Sequence, residues 1–495
     1  VNLANIIDGH PAEHVALISR GRETTYDELC EQVAAFRSGL SGLGVQRGDH
    51  VALLVGNNRY FVVSYLAVLG LGAVAVPLNP TSPAAEIERE LVVVSAVAVI
   101  VGPAGAPSWK HVDRQAVPSV QHVIAAEGGI EGARVMDELD QPRPVPVVDV
   151  QPDDLAALIF TSGTAGAPRA AMLSHGNLLA NIAQANTASG GIRSTDVVYG
   201  VLPMFHIFGL NVVLGIALSA GARVVLVQRF DPSTALETIR ERRVTVLPGA
   251  PPLWLAFAAF DDAPADAFAS VRNASTGAAK MPEEAIRRLR ERFGLELSEG
   301  YGLTEASPVV TSSRGLEIRV GSVGKVLEGI EVRLVDDTGE DVLDGDAGEI
   351  WVRGPNVFQG YLDDPESTAR VLTDDGWLRT GDIAVTDADG YLYLIDRAKD
   401  LIIVSGFNVY PKEVEDVLME YPGVVEVGVI GVPHPHTGEA VKAFVVAAPG
   451  VHLDEDALID HCLDELARYK CPSKVIFVDQ LPRNVSGKLL RRELM

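Results

Sequence analysis

The residues best suited to chemistry lie in "IFTSGTAGAPRAAMLSHGN", residues 159 to 177. Thr161, Ser162, Gly163, Thr164, Ala165, Gly166, Ala167, Pro168 and Arg169 are all hydroxylated, small, proline or cationic, and Leu155 to Phe160 carries no charge. A loop of this kind between a buried strand and a helix can aim hydroxyls and backbone N–H groups at phosphate oxygens. Gly163 and Gly166 permit close backbone approach, and Arg169 adds a fixed positive charge. The spacing is not that of a Walker A loop, G-x-x-x-x-G-K-[ST]. Judged alone, the segment reads equally well as a turn.

Holding such a loop takes a scaffold. The chain has 495 residues, more than one hydrophobic core usually serves, so two or more domains are expected. With 47% hydrophobic and 22% charged residues it is globular. Helical patterns alternate with Val/Ile/Leu-rich runs, which predicts α/β layers. Thr25 to Glu28 forms a capping box ahead of a helix that puts Leu29, Val33, Phe36 and Leu40 on one face. "GDHVALLVG", Gly48 to Gly56, and Leu91 to Val101 read as buried strands. From Asp336 the Gly/Asp-rich texture predicts hairpins. Pro411 suits the first turn of a helix, Val424 to Val432 and Ala440 to Ala448 read as strands, and Asp454 caps a helix. That last helix would present Leu458, Ile459, Cys462, Leu463 and Leu466 on one face.

Composition excludes several classes. With 41 basic against 66 acidic residues the net charge is -25, which argues against a nucleic-acid partner. Three scattered cysteines make neither a disulfide framework nor a zinc site. His434-Pro435-His436 offers too few ligands for a metal. No leader pattern shows in VNLANIIDGHPAEH, so a cytoplasmic location is expected. Contact with the edge of a membrane stays open. Tyr60 to Leu78 is uncharged and long enough for a span, yet Gly70, Gly72 and Pro77 interrupt it. It reads better as a buried helix turning into a buried strand. "GLGAVA", residues 70 to 75, matches G-x-G-x-x-A and keeps a dinucleotide-binding oxidoreductase as an alternative, but a lone match is weak.

Five further segments accompany the loop: "YGLTE" at 301 to 305, "STGAAKMP" at 275 to 282, "GWLRTGD" ending at Asp382, "DRAKDLIIVSGFNVYPKEVE" from Asp396, and "PRNVSGKLLRREL" containing Lys488. With the loop they resemble, in order and spacing across nearly the whole chain, the adenylate-forming superfamily. That superfamily comprises acyl- and aryl-CoA synthetases, luciferases of the firefly type and peptide-synthetase adenylation domains. The family loop is close to T-S-G-T-T-G-x-P-K-G. Here Ala165 replaces a hydroxyl, Arg169 the commoner lysine and Ala170 a glycine, and arginine and lysine are not equivalent at such sites.

The resemblance implies a fold and a set of roles. The fold is α/β, with a large N-terminal domain of layered sheets and helices, residues 1–398, and a small mobile α+β C-terminal domain, residues 399–495. Thr161, Ser162, Gly163, Thr164, Gly166 and Arg169 would hold the ATP phosphates. Tyr301 and Gly302 would flank adenine, with Gly277, Ala278 and Ala279 passing along adenine and the acyl pocket. Thr304 would meet the α-phosphate and Glu305 would take Mg²⁺. Asp382 would accept the ribose hydroxyls and Arg397 would contact ribose or phosphate. Lys399 would be the hinge, Gly406 would line the pantetheine tunnel, and Lys488 would reach carboxylate and α-phosphate during adenylation.

The implied reaction has two steps. ATP converts a carboxylic acid to acyl-AMP, and the thiol of coenzyme A then takes the acyl group. "VLPMFHIFGLNVVL" supplies Pro203, Phe205 and His206, the last beside the acyl carboxylate. No aspartate follows through Leu214, which argues against an α-amino acid. Asn211, Val212 and Val213, with Val309 and Val310 opposite, suggest an apolar pocket, so a fatty acid is favoured and a cinnamate-like aryl acid comes next. A fatty acyl-AMP ligase serving an acyl carrier protein is the other acceptor reading, though no insertion typical of those enzymes is visible. A homodimer stays open.

Overall fold

The computed structural model describes the chain apart from residues 140–143, 162–167, 188–189, 279–280, 337, 344, 398–401, 410, 483–490, 492–493 and 495. Four sheets organise it. A seven-stranded sheet runs Arg134–Val135, His122–Ala125, Ala98–Val101, His50–Leu54, Val74–Pro77, Leu155–Thr161 and Arg169–Ser174. It is parallel except for its final pair. A nine-stranded sheet is parallel through its centre and antiparallel at both edges. Its strands Asn273–Thr276 and Leu297–Gly302 lie side by side, with Thr276 opposite Glu299.

Between these two sheets sits the helical part of the uncharged segment. Arg59–Gly70 is a helix buried from Tyr60 onward, capped by Asn58, and Val74–Pro77 is the strand it leads into. A helix that is apolar on every side belongs inside a core, and this one shares a single core with residues of both sheets such as Leu53, Ile159, Val198 and Val224. Strand alternation explains the partition: Val51 and Leu53 face that core, whereas Ala52 and Leu54 face a second one on the opposite side of the sheet. Gly72, at φ +70°, turns the helix into the strand. "GLGAVA" is therefore a helix-to-strand turn, the reverse of the strand-to-helix order that a dinucleotide fingerprint needs.

The capping box at Thr25 and Glu28 forms, and Leu29, Val33, Phe36 and Leu40 are buried as expected. The hairpin reading after Asp336 also holds. Glu331–Val335, Gly348–Arg353, Leu378–Thr386 and Leu392–Arg397 make an antiparallel four-stranded sheet. Beyond it, Ile402–Val404, Phe407–Val409, Val424–His434, Gly438–Ala447 and Lys474–Phe477 form a five-stranded sheet. With the helices Pro411–Met419 and Glu455–Glu465 it encloses its own core around Val414, Val429, Ala443 and Leu458.

Three local expectations need correction. Leu91 to Val93 ends the helix Ala84–Val93, and only Ala98–Val101 is strand. The apolar run hid a boundary because the turn at Val94–Ser95 carries no Gly or Pro; Ser95 itself takes φ +48°. Leu463 is exposed, since it lies about 100° round the helix from the narrower buried stripe of Leu458 and Cys462. The Thr/Ser/Gly loop joins two antiparallel strands, Leu155–Thr161 and Arg169–Ser174, and the next helix starts at His175. The described chain leaves one strand at Thr161 and returns on its antiparallel partner at Arg169, so the helix N-terminus invoked for the segment lies a strand further on.

Candidate functional site

Tyr301 lies near the end of Leu297–Gly302 and is buried. Its hydroxyl donates to Asp382 Oδ2 at 2.7 Å, tying the nine-stranded sheet to the four-stranded one. Asp382 pairs in register with Arg397 across the ladder, and its backbone N–H donates to Thr380 Oγ1 at 3.1 Å. The structure thus joins Tyr301 and Asp382, and brings the Arg397 backbone beside Asp382. Gly302 has a packing reason of its own: a side chain there would run into the Pro308 carbonyl.

Thr304 opens the short turn Thr304–Ala306. Glu305 follows, half-exposed, and accepts from the Tyr361 hydroxyl at 2.6 Å. The Arg169 guanidinium stacks over the same tyrosine ring, 4.8 Å from its centroid. Tyr361 therefore joins two residues the sequence had placed on one ATP molecule, and sequence reasoning missed it. The signal was backbone pairing, not a motif. The segment 359–362 lays itself along Arg169–Ser174 through Gln359 N to Met172 O at 3.0 Å and Leu362 N to Ala170 O at 2.9 Å. Thr161 pairs with Arg169 at the mouth of the hairpin. Ser162, Gly163, Thr164 and Gly166 fall outside the described residues, as do Ala279, Lys399 and Lys488.

Gly277 follows Asn273–Thr276, and a Cβ added there would stand 3.4 Å from the Phe208 ring. Phe208, also missed, begins the π-helical stretch Phe208–Gly215. Ala278 takes φ +70°, a left-handed conformation uncommon for alanine and a place where strain gathers at functional sites. Gly406 reaches the same spot from the C-terminal sheet: its Cβ position is 3.3 Å from Ala250 Cβ and 3.4 Å from Ala278 Cβ. With Ser405 at φ +54° and Gly406 at φ +85°, these two form the turn between Ile402–Val404 and Phe407–Val409. Positive φ at both central residues suits a two-residue hairpin turn.

His206 meets Phe407 edge-on at 5.7 Å, and Phe407 stacks on Phe205 at 6.1 Å and on Tyr469 at 4.5 Å. Burial lowers the His206 pKa to about 4, so the ring is neutral at pH 7. Its Nδ1 accepts from Phe208 N–H at 3.3 Å, which leaves the proton on Nε2. The valine pocket is only half as expected. Val213 and Val310 are core residues, and Asn211 spends its amide on the Ser307 and Leu178 carbonyls at 2.7 and 3.2 Å. Val212 and Val309 remain partly accessible.

A hard cation fits this donor set. Magnesium is commonly held by one or two carboxylates plus substrate phosphates and water, and Glu305 offers a carboxylate oriented by the Tyr361 hydroxyl. Among the described residues no three His, Cys, Asp or Glu side chains gather into a metal cluster, and no helix is long and apolar enough to cross a membrane.

Comparison with known proteins gives the class. The AMP-binding enzyme family matches residues 3–362, and the AMP-binding enzyme C-terminal domain matches residues 413–488. The chain belongs to the AMP-binding enzyme family, and it shares the mixed α/β architecture of adenylate-forming ligases, a large N-terminal part followed by a smaller C-terminal one. Among its relatives, 4-coumarate–CoA ligase 2 of Solanum tuberosum is 36% identical over 482 residues, 95% of this chain and 88% of the relative. Feruloyl-CoA synthase of an Amycolatopsis species is 38% identical over 476 residues, 96% and 94% of the two chains. The solved amide bond synthetase McbA of Marinactinospora thermotolerans superposes with a TM-score of 0.90 at 31% identity, covering 100% of this chain and 99% of that one.

Proposed function

We propose that this protein is an AMP-forming acid–thiol ligase acting on an aryl propenoic acid of the coumarate or ferulate kind. In the first step a carboxylate oxygen attacks the α-phosphorus of ATP and the α–β bridging bond breaks, giving acyl-AMP and pyrophosphate. In the second, the sulfur of coenzyme A attacks the acyl carbon, the carbon–oxygen bond to phosphate breaks, and AMP leaves.

The observation that carries the reading is that three sheets meet at two neighbouring strands: Tyr301 bonds Asp382 of the four-stranded sheet, and Ala278, just after the adjacent strand, meets Gly406 of the C-terminal sheet. Tyr301 and Asp382 offer an aromatic face and a carboxylate, the pair an adenosine needs. Thr304 and Arg169 supply a hydroxyl and a cation for phosphate charge that builds in the first step. Bound magnesium would sit on Glu305 and neutralise phosphate charge. His206, neutral, presents an Nε2–H to the acyl carboxylate. Gly406 against Ala278 is the arrangement expected for the second step, with Lys488 assigned to the first and the module turning about Lys399 between them.

Two observations favour an aryl over a fatty acid: relatives named for coumarate and ferulate, and the flat Phe208 ring beside Gly277 where half of the expected valine lining is lost to the core. The likeness to an amide bond synthetase adds an amine as a second acceptor to test.

The protein would be incubated with ATP, Mg²⁺ and CoA against 4-coumarate, ferulate, cinnamate, octanoate and palmitate, with and without a primary amine, and products read by mass spectrometry. Aryl-CoA with pyrophosphate is the expected result. Octanoyl- or palmitoyl-CoA instead returns the acid to the fatty class. Acyl-AMP that goes to the amine, or to a carrier protein but not CoA, changes the acceptor. No adenylate from any acid overturns the reading.

A further inference from the structure

Beside the Gly406 turn but outside the residues assigned to the reaction, four ionisable side chains are buried together. Lys470, in the turn Arg468–Lys470, donates to Glu86 Oε1 at 2.6 Å and to Glu413 Oε1 at 2.8 Å. Glu90 lies one helical turn beyond Glu86 on Ala84–Val93. All four are at most 7% exposed. The second oxygens of Glu86, Glu90 and Glu413 have no hydrogen-bond partner among the described residues. Burial, reinforced by Glu86, raises Glu90 well above the usual carboxylate range. Burial alone would lower Lys470, but the neighbouring Glu86 and Glu413 carboxylates outweigh it and raise it well above the usual lysine range.

The position of this group matters more than its composition. Glu86 and Glu90 sit on a helix of the N-terminal region, whereas Glu413 and Lys470 belong to the C-terminal module. At the rim Arg89 meets Glu465 at 2.8 Å across the same boundary. Tyr469, next to Lys470, stacks on Phe407, which follows Gly406 in the turn packed against Ala278. The bridge and the cleft are therefore linked by two adjacent residues and a ring contact.

We propose that the Glu86–Lys470–Glu413 bridge is a positioning latch that selects the arrangement placing Gly406 against Ala250 and Ala278, and so governs the acyl-transfer step but not adenylation. This rests on the two-step reading above. Physically, a buried ion pair adds little net stability, yet removing one partner while the other stays buried is strongly unfavourable. With Lys470 gone, two carboxylates face each other in a dry seam, and the seam opens. With Glu86 neutralised, Lys470 keeps Glu413, and the seam is only loosened. When the module swings away, the Lys470–Glu413 pair goes with it and Glu86 is rehydrated, so the latch can release.

Two variants and two readouts test this on the full chain. Lys470→Met is expected to slow acyl transfer from preformed acyl-AMP to CoA by about a hundredfold, and Glu86→Gln by about threefold to tenfold. ATP–pyrophosphate exchange should stay within about twofold for Glu86→Gln, which leaves the module's own pair intact. Hydrogen exchange in residues 84–93 should quicken by about tenfold in Lys470→Met, whatever the acid. Equal loss of both half-reactions in Glu86→Gln with a lowered Tm would mean a merely structural bridge, and unchanged exchange and transfer in both variants would mean no latch. Should the wild type make no adenylate at all, the catalytic reading fails, while exchange in 84–93 still decides the latch.

Discussion

Tyr301 pairs with Thr311 in one ladder and Asp382 with Arg397 in another, and a hydrogen bond joins the two. Gly406, Phe407 and Lys470 instead meet Ala278, Phe205 and Glu86 across the boundary between the C-terminal module and the rest, through a van der Waals approach, stacked rings and a buried ion bridge. The first region is a platform whose geometry is set by backbone bonding. The second is a seam whose contacts are individually weak or nearly balanced, as the proposed swing of the module between half-reactions would require. On the proposed two-step reading the platform would lie under the nucleotide and the seam under the thiol, which puts the rigidity with the nucleotide.

The sharpest break of that comparison is Lys488→Ala. Acyl-AMP formation should fall by about a hundredfold to a thousandfold, as for loss of one charge-stabilising donor, with transfer from supplied acyl-AMP changed far less. Equal losses in single-turnover assays of each step would erase the division between platform and seam.

Gly406→Ala comes next. The new Cβ narrows the approach to Ala278 and must take φ +85°, a conformation costing about 1–2 kcal/mol for an L-residue. Acyl transfer should drop by about tenfold while ATP–pyrophosphate exchange holds. A normal transfer rate would mean that the thiol does not pass this turn.

Tyr301→Phe probes the platform. Loss of one hydrogen bond to a carboxylate, worth about 1.5–3 kcal/mol, should appear as a rise of about tenfold in KM for ATP. A change in the CoA KM instead would place Tyr301 on the seam.

The smallest effect is in pH. His175 is fully buried, accepts from Leu3 N–H at 3.0 Å, and burial lowers its pKa to about 4. His206 is lowered to about 4 as well. Between an unfolded value of about 6.5 and the folded value, the unfolded chain binds more protons. Stability is therefore full above that range and falls as pH drops towards 4. Tm should decline by about 5 °C across the window. His206→Gln should remove its own share without touching that of His175, and an unaltered profile would mean that His206 titrates normally.

Sequence reasoning went far where a pattern is local. The capping box at Thr25, the buried helix Arg59–Gly70, the hairpins after Asp336 and the cap at Asp454 all follow from neighbours within a few residues. It went less far at Leu91, where a boundary lacks Gly or Pro, and at the Thr/Ser/Gly loop, where Arg169–Ser174 is too apolar and short for periodicity to separate strand from helix. Of the candidate site, motif order placed Tyr301, Glu305, Asp382 and Gly406 on one reaction, while Tyr361 and Phe208 escaped notice.

What the chain determines by itself is the inventory: a large α/β scaffold, an acidic surface, and residue types suited to a nucleotide, a phosphate and a hard cation. Those follow from composition, periodicity and short motifs. Only the tertiary structure decided that Tyr301 bonds Asp382, that Tyr361 stands between Arg169 and Glu305, and that Lys470 closes on a glutamate 384 positions earlier. Such contacts depend on strand order and on the seating of one sheet against another, and no spacing along the chain encodes either.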